Sequence, residues 1–498
     1  MADGDRMSQQ PKSTDVSRRQ VLQGAAALGL GLVLPGCGGT ISAPAVRQPG
    51  SLPTPHLPEG TDTLPQIEHI IIVMMENHSF DNYFGLLDPA VGLPLDGTGR
   101  PAASNPDGDG NLIHAFHMPS ACQLDGHPGQ NWNASHVSYN TGRNDGFVVA
   151  SGPVAMGYWT GDDLPFYYGL ARTFSLASRW FGSTLCQTYP NRRFLMAGTA
   201  AGIISTSSAA IQAPPPPNGN IFERLDAFGI SWRNYHTDLP SLAILINYTV
   251  KNLSKLLPIA QFFHDAAAGT LPAVSLVDPG FETGGSEENP DDIRIGERFA
   301  AQVINAAMSG PGWPKTLLVW LYDEHGGYYD HVPPPPAIKP DDIPPDLAPG
   351  DYPGGYDRYG FRVPAVIVSP YARRNYVSSV VRDHTAVLKF IERKWNLGAL
   401  TFRDANADDL FDCLDFVNPP AFLDPPALPA PALDGDDPPA CTPGDSGQIP
   451  PPDAVSPAPA TMSVSGPAAG ASDARETRMS GPLAEVWAPF RSAVMTPR

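Results

Sequence analysis

Polar side chains with carboxylate, amide and imidazole groups follow three apolar runs of this sequence. They are found in residues 76–81 (beginning Glu-Asn-His), 323–331 (beginning Asp-Glu-His) and 383–384 (Asp-His). The carboxyl ends of neighbouring strands in an α/β sheet meet at one edge, and ligands bind there. Oxygen ligands with a few histidines suit a hard or borderline divalent cation. The pattern therefore predicts a divalent-cation site at this edge, with the identity of the metal left open.

A hydroxyl that could act as a nucleophile lies in residues 187–192 (Gln-Thr-Tyr-Pro-Asn-Arg), just before a predicted helix. There, Thr188 would lie where backbone N–H groups can hold an anion, and Arg192 is near enough in sequence to contact a phosphate oxygen. A threonine hydroxyl is a poor nucleophile unless a metal or a base activates it. Taken alone, the stretch is more typical of a helix cap, so the interpretation depends on the cation site.

The apolar runs predict strands at residues 70–75, 273–277, 316–322 and 363–368. Unbroken apolar runs of this length are typical of strands that are buried on both faces. Helical patterns alternate with them at residues 166–178, 294–309 and 383–395. The alternation predicts an α/β fold with a doubly wound, mostly parallel central sheet and helices on both faces.

Two long blocks of sequence resemble a known family. Residues 67–85 (IEHIIIVMMENHSFDNYFG) and 322–334 (YDEHGGYYDHVPP) are similar to bacterial phospholipases C and related acid phosphatases of the alkaline phosphatase superfamily. Shorter matches follow in order over about residues 65–400: WNASH at 132–136, NDGF at 144–147, LPFYY at 164–168, TYPNR at 188–192, VDP at 277–279, SPYA at 369–372 and DHT at 383–385.

The resemblance assigns roles position by position. It implies that a divalent cation is held by four residues beside the oxygen of the nucleophile Thr188: Glu76, Asn77, Asp323 and Glu324. It further implies that three histidines surround the phosphate and supply donors or transfer protons: His136, His325 and His384. Asp278 and His331 are weaker candidates, because an Asp before Pro can start a turn and His331 can equally be structural.

One loop departs from the family pattern. The family has a His-Pro pair in the acidic loop before the helix near residue 294, whereas this loop reads Ser-Glu-Glu-Asn-Pro at 286–290. Asn289, or Glu288 in an alignment shifted by one residue, replaces the imidazole. The change would affect the acid that assists the leaving group, the affinity for metal, or the choice of substrate.

The resemblance implies a phosphoesterase of phospholipase C type that hydrolyses phosphate diesters, such as phospholipids, through a phospho-threonine intermediate. The alternative is a broad-specificity acid phosphomonoesterase, because both reactions share the first half-reaction. A second alternative is a surface binding protein that keeps the fold but has weak activity. The net charge of −19, with no Lys/Arg-rich run, argues against a nucleic-acid partner.

The N-terminus carries a predicted export signal. Residues 17–22 (SRRQVL) and the short Ala/Gly/Leu stretch up to residue 34 resemble a twin-arginine leader. The stretch is too short for a membrane span of roughly 20 residues. Cys37 follows a lipoprotein-like box, so it is either lipidated or removed with the leader. We expect a secreted, periplasmic or envelope-associated protein, which contacts a membrane surface through its substrate or through a lipidated Cys37.

Composition divides the chain into five parts. These are an export leader (1–37), a linker (38–65), a catalytic domain (66–418), a disordered Pro/Ala/Gly-rich tail (419–480) and a short C-terminal segment (481–498). The tail has too few apolar residues to form a core, so we expect it to be dispensable for catalysis. The four cysteines beyond the leader would form disulfides in an oxidising compartment or remain buried thiols.

Overall fold

Two mostly apolar strands form the centre of the sheet, since β1 (His69–Met75) is buried apart from its first residue and β10 (Thr316–Tyr322) is buried throughout. The computed structural model describes residues 45–88, 90–122, 128–442, 444–445 and 478–491, so the predicted leader lies outside the described residues. The strands are β1 (His69–Met75), β2 (Ser104–Pro106), β3 (Leu112–His114), β4 (Phe116–His117), β5 (Gly157–Tyr158), β6 (Ser175–Ala177), β7 (Trp232–His236), β8 (Leu256–Pro258), β9 (Val274–Asp278), β10 (Thr316–Tyr322), β11 (Ala365–Val368) and β12 (Val377–Ser378).

The main sheet has eight strands in the order β12-β6-β11-β10-β1-β9-β7-β8. Its neighbours are parallel except at β11, which runs antiparallel to both β10 and β6. Two small two-stranded sheets, β2-β3 and β4-β5, lie outside it. The α/β prediction with a mostly parallel central sheet is confirmed.

Helices connect the strands. The α-helices of the described residues are α1 (Phe80–Phe84), α2 (Trp132–Tyr139), α3 (Phe147–Ser151), α4 (Pro165–Thr173), α5 (Thr188–Ala197), α6 (Ser208–Ile211), α7 (Ile221–Ala227), α8 (Ile246–Thr249), α9 (Ile259–Ala268), α10 (Ile293–Ser309), α11 (Thr385–Trp395), α12 (Phe402–Ala405) and α13 (Ser480–Trp487). Helices predicted at 294–309 and 383–395 correspond to α10 and α11. The prediction at 166–178 is right only for α4, because residues 175–177 form β6 between β11 and β12.

The direction of β11 corrects one step of the sequence argument. The sequence argument placed the carboxyl end of the run at 363–368 at the same edge as Glu76, but an antiparallel strand carries its carboxyl end to the opposite edge. Ser369 accordingly donates its hydroxyl to the carbonyl of Thr316, at the beginning of β10, at 2.8 Å. The chain then returns through β12, and this return brings His384 to the edge where Glu76 lies.

The predicted linker and tail pack on the catalytic body where the structure describes them. Gly50 donates its N–H to the carbonyl of Ala399 at 2.7 Å, and Leu64 is buried. In the tail, Phe422 is buried and stacks on Phe174 at 4.6 Å. Proline-rich chain has no periodicity, yet it can lie in extended form against a surface. Described residues on both sides of the predicted boundaries at 65 and 419 therefore pack in the same body.

The cysteines divide into both predicted types. Cys122 and Cys441, 319 residues apart in the chain, form a disulfide, and Cys186 and Cys413 are buried thiols. The disulfide sulfurs lie within 4.8 Å of Asp292, but a disulfide offers no thiolate to a metal. No helix of the described residues is both long and apolar enough to cross a membrane.

A buried arginine ties the loop after β10 to the first helix. Arg362 donates from Nε to Asp330 at 2.8 Å and from Nη2 to Asp81 at 2.9 Å, and Nη1 reaches the carbonyls of Val91 and Ser178. His331 joins this network through Asp81, at 2.6 Å. The contacts support the structural reading of His331.

We predict that Arg362→Met lowers the free energy of unfolding by about 3–5 kcal/mol, because two buried carboxylates lose their counter-charge. Arg358→Met is the matched control, because Arg358 is partly exposed and donates only to the Pro334 carbonyl. Denaturant titration of both variants would measure the difference. A loss of less than 1 kcal/mol for Arg362→Met would contradict this account.

Candidate active site

The carboxyl ends of β1 and β10 bring two carboxylates together. The strands pair in parallel with Met75 opposite Tyr322, so Glu76 and Asp323 are the next residues at one edge. Both side chains are buried. Burial and the neighbouring carboxyl of Glu288 raise the pKa of Glu76 well above its ordinary value. The juxtaposition of the two strand ends follows directly from the parallel register.

Arg192 lies between these carboxylates. Its Nε donates to Asp323 at 3.0 Å, its Nη2 is 3.4 Å from Glu76 Oε1, and Nη2 also donates to the carbonyl of Met75 at 3.1 Å. The sequence suggested a contact with a phosphate oxygen instead. Only Nη1 is left without a hydrogen-bond partner among the described residues. The guanidinium therefore serves mainly as a fixed counter-charge for the strand ends.

Asn77 has a strained backbone with a φ of +69°. Residues other than glycine adopt this region rarely, and such outliers cluster at functional sites. Its N–H donates to Asp323 at 3.3 Å, and its side-chain amide has no partner in the described part of the chain. Glu324 Oε2 accepts from the N–H of Gly326 at 2.8 Å and lies 3.1 Å from His325 Nδ1.

Thr188 is the first residue of α5 and is buried. It lies one turn before Arg192, and residues four apart share a face of a helix. Because Arg192 reaches Glu76 and Asp323, Thr188 belongs to the same end of the sheet. Its hydroxyl has no hydrogen-bond partner within the described residues. A buried polar group without a partner costs free energy, so this hydroxyl is expected to meet a ligand.

These donors fit a divalent cation. Four buried oxygens lack a hydrogen-bond partner among the residues that the structure describes: Glu76 Oε1 and Oε2, Asn77 Oδ1 and Thr188 Oγ1. Carboxylate, amide and hydroxyl oxygens are ligands that hard cations prefer. The local charge points the same way, because Glu76 has the carboxyl groups of Glu288 and Asp323 as neighbours and the guanidinium of Arg192 as an opposite charge.

The three predicted histidines have different surroundings. His384 accepts a hydrogen bond from Trp180 Nε1 at Nδ1 and donates from Nε2 to the carbonyl of Asp323 at 2.6 Å. Both ring nitrogens are thus engaged with the protein, so the structure gives His384 a positioning place in the site. The expectation that His384 contacts the phosphate stays a prediction, and these two hydrogen bonds weigh against it.

His325 has an unengaged nitrogen. Its Nδ1 faces Glu324, and its Nε2 is buried with no partner in the described ranges. Burial lowers the pKa of His325 to about 3, so the ring is neutral. His136, on α2, donates from Nδ1 to the Trp132 carbonyl at 2.7 Å and stacks beside Tyr352. Burial lowers its pKa to about 4.

Three tyrosine hydroxyls anchor the acidic loop, residues 286–290, through hydrogen bonds. Glu287 accepts hydrogen bonds from the hydroxyls of Tyr167 at 2.6 Å and Tyr83 at 2.7 Å, and from Tyr322. Burial raises the pKa of Glu287 to about 8. This anchoring places the next residue, Glu288, against Glu76.

Two other candidates of the sequence analysis lie near this loop. Asn289, at the position of the family histidine, accepts from the Tyr328 hydroxyl at 3.1 Å, and its Nδ2 has no partner among described residues. Oδ2 of Asp278 accepts from Asn234 at 2.6 Å and from the N–H of Ser241 at 2.7 Å, while its buried Oδ1 has no hydrogen-bond partner among the described residues.

The sequence analysis missed two participants. Glu288 was considered only as a shifted alternative to Asn289, although its carboxyl group contacts Glu76. Arg478, from the predicted tail, lies 3.4 Å from Glu288. The doubled glutamate before Asn-Pro was a usable signal for the first residue. Nothing local to position 478 indicated the second.

Comparison with known proteins gives a consistent result. The model of the Phosphoesterase family matches residues 67–398. Phospholipase C B of Mycobacterium tuberculosis is 30% identical over 429 residues, which cover 72% of this chain and 79% of that protein. Non-specific phospholipase C6 of Arabidopsis thaliana is 30% identical over 400 residues, covering 73% and 75% of the two chains. A solved alkaline phosphatase superfamily protein of Vibrio parahaemolyticus aligns with a TM-score of 0.37, at 9% identity over 72% of each chain.

Gly326 lets the backbone that follows β10 approach the backbone that follows β1 closely. Its φ is +64°, and a Cβ there would lie 1.8 Å from the carbonyl oxygen of Asn77. We predict that Gly326→Ala displaces Asn77 and lowers hydrolysis of a nitrophenyl phosphodiester by roughly 100-fold, the effect of a displacement of about 1 Å in an active site.

Gly350→Ala is the matched control for backbone strain. Gly350 also has a positive φ, of +98°, but nothing lies within 4 Å of its Cβ position. We expect it to lose about 1 kcal/mol of stability and to keep its activity. Equal activity in the two variants would show that this close approach does not position the site.

Proposed function

This chain belongs to the phosphoesterase family of the alkaline phosphatase superfamily and is a phosphoric ester hydrolase, and from that premise we propose that it cleaves phosphate diesters such as phospholipids through Thr188. The observation that carries the proposal is the buried Thr188 hydroxyl at the beginning of α5, beside the strand ends that hold Glu76 and Asp323. Both relatives reported above are named phospholipases C, which favours the diester over the monoester.

The proposed reaction requires a divalent cation, and the donor set fits one. Glu76, Asn77, Asp323 and Thr188 would hold it, with Glu324 alongside. When bound, the cation would lower the pKa of the Thr188 hydroxyl and offset the charge of the phosphate. Arg192 already neutralises part of the carboxylate charge, and the remaining negative charge suits a dication.

Residues of the chain carry the bond changes. The Thr188 oxygen forms a bond to phosphorus in line with the bond that breaks to the leaving alcohol, and phospho-Thr188 results. The N–H of Thr188 at the beginning of α5 and Arg192 Nη1 would donate to phosphate oxygens. A water molecule then cleaves phospho-Thr188, which restores the hydroxyl and releases the phosphorylated product.

Proton transfer is assigned to His325, whose Nε2 would take the proton of the Thr188 hydroxyl and pass it to the oxygen of the leaving alcohol. Its neutral ring has an available Nε2, and Glu324 at Nδ1 fixes the ring and stabilises the charge that appears when Nε2 is protonated. A side chain of this kind contributes typically 10²- to 10⁴-fold to the rate. His384 would act indirectly, because its hydrogen bond to the backbone carbonyl of Asp323 positions that residue.

We also propose that the protein is exported. The twin-arginine-like leader at residues 17–34 motivates this, and the Cys122–Cys441 disulfide is consistent with an oxidising compartment. Phospholipid substrates would then be met at a membrane surface outside the cytosol.

We predict that Thr188→Val reduces turnover of a nitrophenyl phosphodiester to below about one hundredth of wild type, because valine keeps the shape of threonine without its hydroxyl. Thr249→Val is the control, since this buried threonine donates only to the carbonyls of Leu242 and Leu245. It should lose about 1 kcal/mol of stability and keep its activity. Activity of Thr188→Val above one hundredth would remove Thr188 from the mechanism.

We predict that a chelator abolishes hydrolysis and that divalent cations restore it, with phosphatidylcholine, sphingomyelin and a nitrophenyl diester cleaved faster than a nitrophenyl monoester. Glu76→Gln should raise the cation concentration for half-maximal activity at least tenfold. Glu68→Gln, just before the other end of β1 and paired with Lys315 at the surface, should not. Chelator-resistant turnover would exclude the cation, and a preferred monoester would favour the phosphomonoesterase alternative.

A further inference from the structure

The C-terminal segment 478–491 lies beside the active site, although it is far from the site in sequence. Tyr189, the neighbour of Thr188, donates its hydroxyl to the carbonyl of Met479 at 2.9 Å. Helix α13 packs against α6 and against the 3-10 helix Ser241–Leu245. The tail that composition predicted to be dispensable for catalysis ends at residue 480, so it includes Arg478 and Met479, and the structure brings Met479 into contact with the neighbour of the proposed nucleophile.

The segment is firmly docked. Met479, Leu483 and Trp487 are all buried against the body. Polar contacts flank them, since Ser208 donates to Glu485 at 2.6 Å and Arg491 contacts both carboxylate oxygens of Glu282 at 2.8 Å. Burial of three large apolar side chains favours a permanent wall over a mobile cover.

Arg478 is the residue of this segment that faces the acidic loop. Its Nη2 donates to Asp291 at 2.5 Å and its Nε lies 3.4 Å from Glu288. Glu288 in turn contacts Glu76, and Arg478 is close enough to Glu76 for the two charges to interact. The Arg478 side chain is 33% exposed, whereas Glu288 is fully buried. These contacts use Nε and Nη2, and among the described residues Nη1 makes no hydrogen bond, so it could donate to a group that enters from solvent.

We propose that segment 478–491 forms one wall of the active site and that Arg478 binds the phosphate group of the incoming substrate. The inference rests on the proposed function, since the site is the one around Thr188. A guanidinium suits this place because it presents several N–H donors in a planar fork that matches phosphate oxygens. The carboxylates of Glu288 and Asp291 hold two sides of the fork, so it is fixed in position before substrate arrives.

The competing reading is that Arg478 only tethers the segment. A tether and a phosphate ligand differ in what their loss changes. Loss of a tether lowers stability and would affect every substrate through the fold. Loss of a phosphate ligand weakens phosphate binding and raises KM while the unfolding temperature stays the same. Arg491 supplies a matched control, because it is an arginine of the same segment whose partner, Glu282, is partly exposed and precedes the acidic loop 286–290.

The test measures binding of inorganic phosphate and of phosphocholine in the Thr188→Val background, where no turnover occurs. Arg478→Gln, Arg478→Lys and Arg491→Gln are compared by calorimetric titration and by thermal unfolding. We expect Arg478→Gln to weaken binding of both probes by roughly 10- to 100-fold, as the loss of hydrogen bonds to a charged group does. Lysine should restore part of the affinity, and Arg491→Gln should stay within about twofold.

Either of two results would overturn the inference. Phosphate affinity within about twofold of the parent in Arg478→Gln would show that Arg478 does not bind phosphate. A weakened affinity that appears only with a lowered unfolding temperature, and that lysine does not restore, would make Arg478 a tether. Failure of the proposed function is a separate outcome, because it would appear as retained turnover in Thr188→Val with Arg478 intact.

Discussion

Buried negative charge at the carboxyl edge of the sheet is the constraint on which the rest of this structure depends. Glu76, Asp323 and Glu288 are all removed from water within reach of one another. Such burial costs several kcal/mol for each ion unless opposite charge and hydrogen bonds compensate it. Arg192 compensates from the inside, and Arg478 does so from the rim. The proposed cation would supply the rest of the compensating positive charge. The same carboxylates would thus destabilise the fold without the cation and bind the cation that the proposed reaction requires.

The parts of the fold that position this charge could be predicted from local sequence. The run at 316–322 forms a strand with those same bounds, and the run at 70–75 gains only His69, because continuous apolar residues have few other places in an α/β protein. Their pairing in register then puts Glu76 beside Asp323. The motif around Thr188 likewise gave the beginning of a helix correctly. Resemblance to the family supplied the roles, which spacing alone left open.

The features that sequence did not predict all depend on long-range contacts. The apolar run 365–368 gives no sign of its antiparallel direction, which is fixed by its neighbours β6 and β10. The sequence of residues 175–177 resembles the end of a helix, yet these residues form strand β6 between β11 and β12. His384 has the residue type of a catalytic group, but Trp180 and the Asp323 carbonyl already engage both nitrogens. Arg478 lies in a segment whose composition suggests disorder, and only the tertiary structure shows Glu288 beside it.

The central claim is that Glu76, Asn77 and Thr188 together hold a catalytic cation. Anomalous diffraction at the manganese edge, from crystals grown with Mn²⁺, tests it most directly. The account predicts one strong peak at roughly 2.0–2.6 Å from the Glu76 carboxylate, the Asn77 amide oxygen and the Thr188 hydroxyl. A map with no peak at this place, in crystals of active protein saturated with the ion, would contradict it.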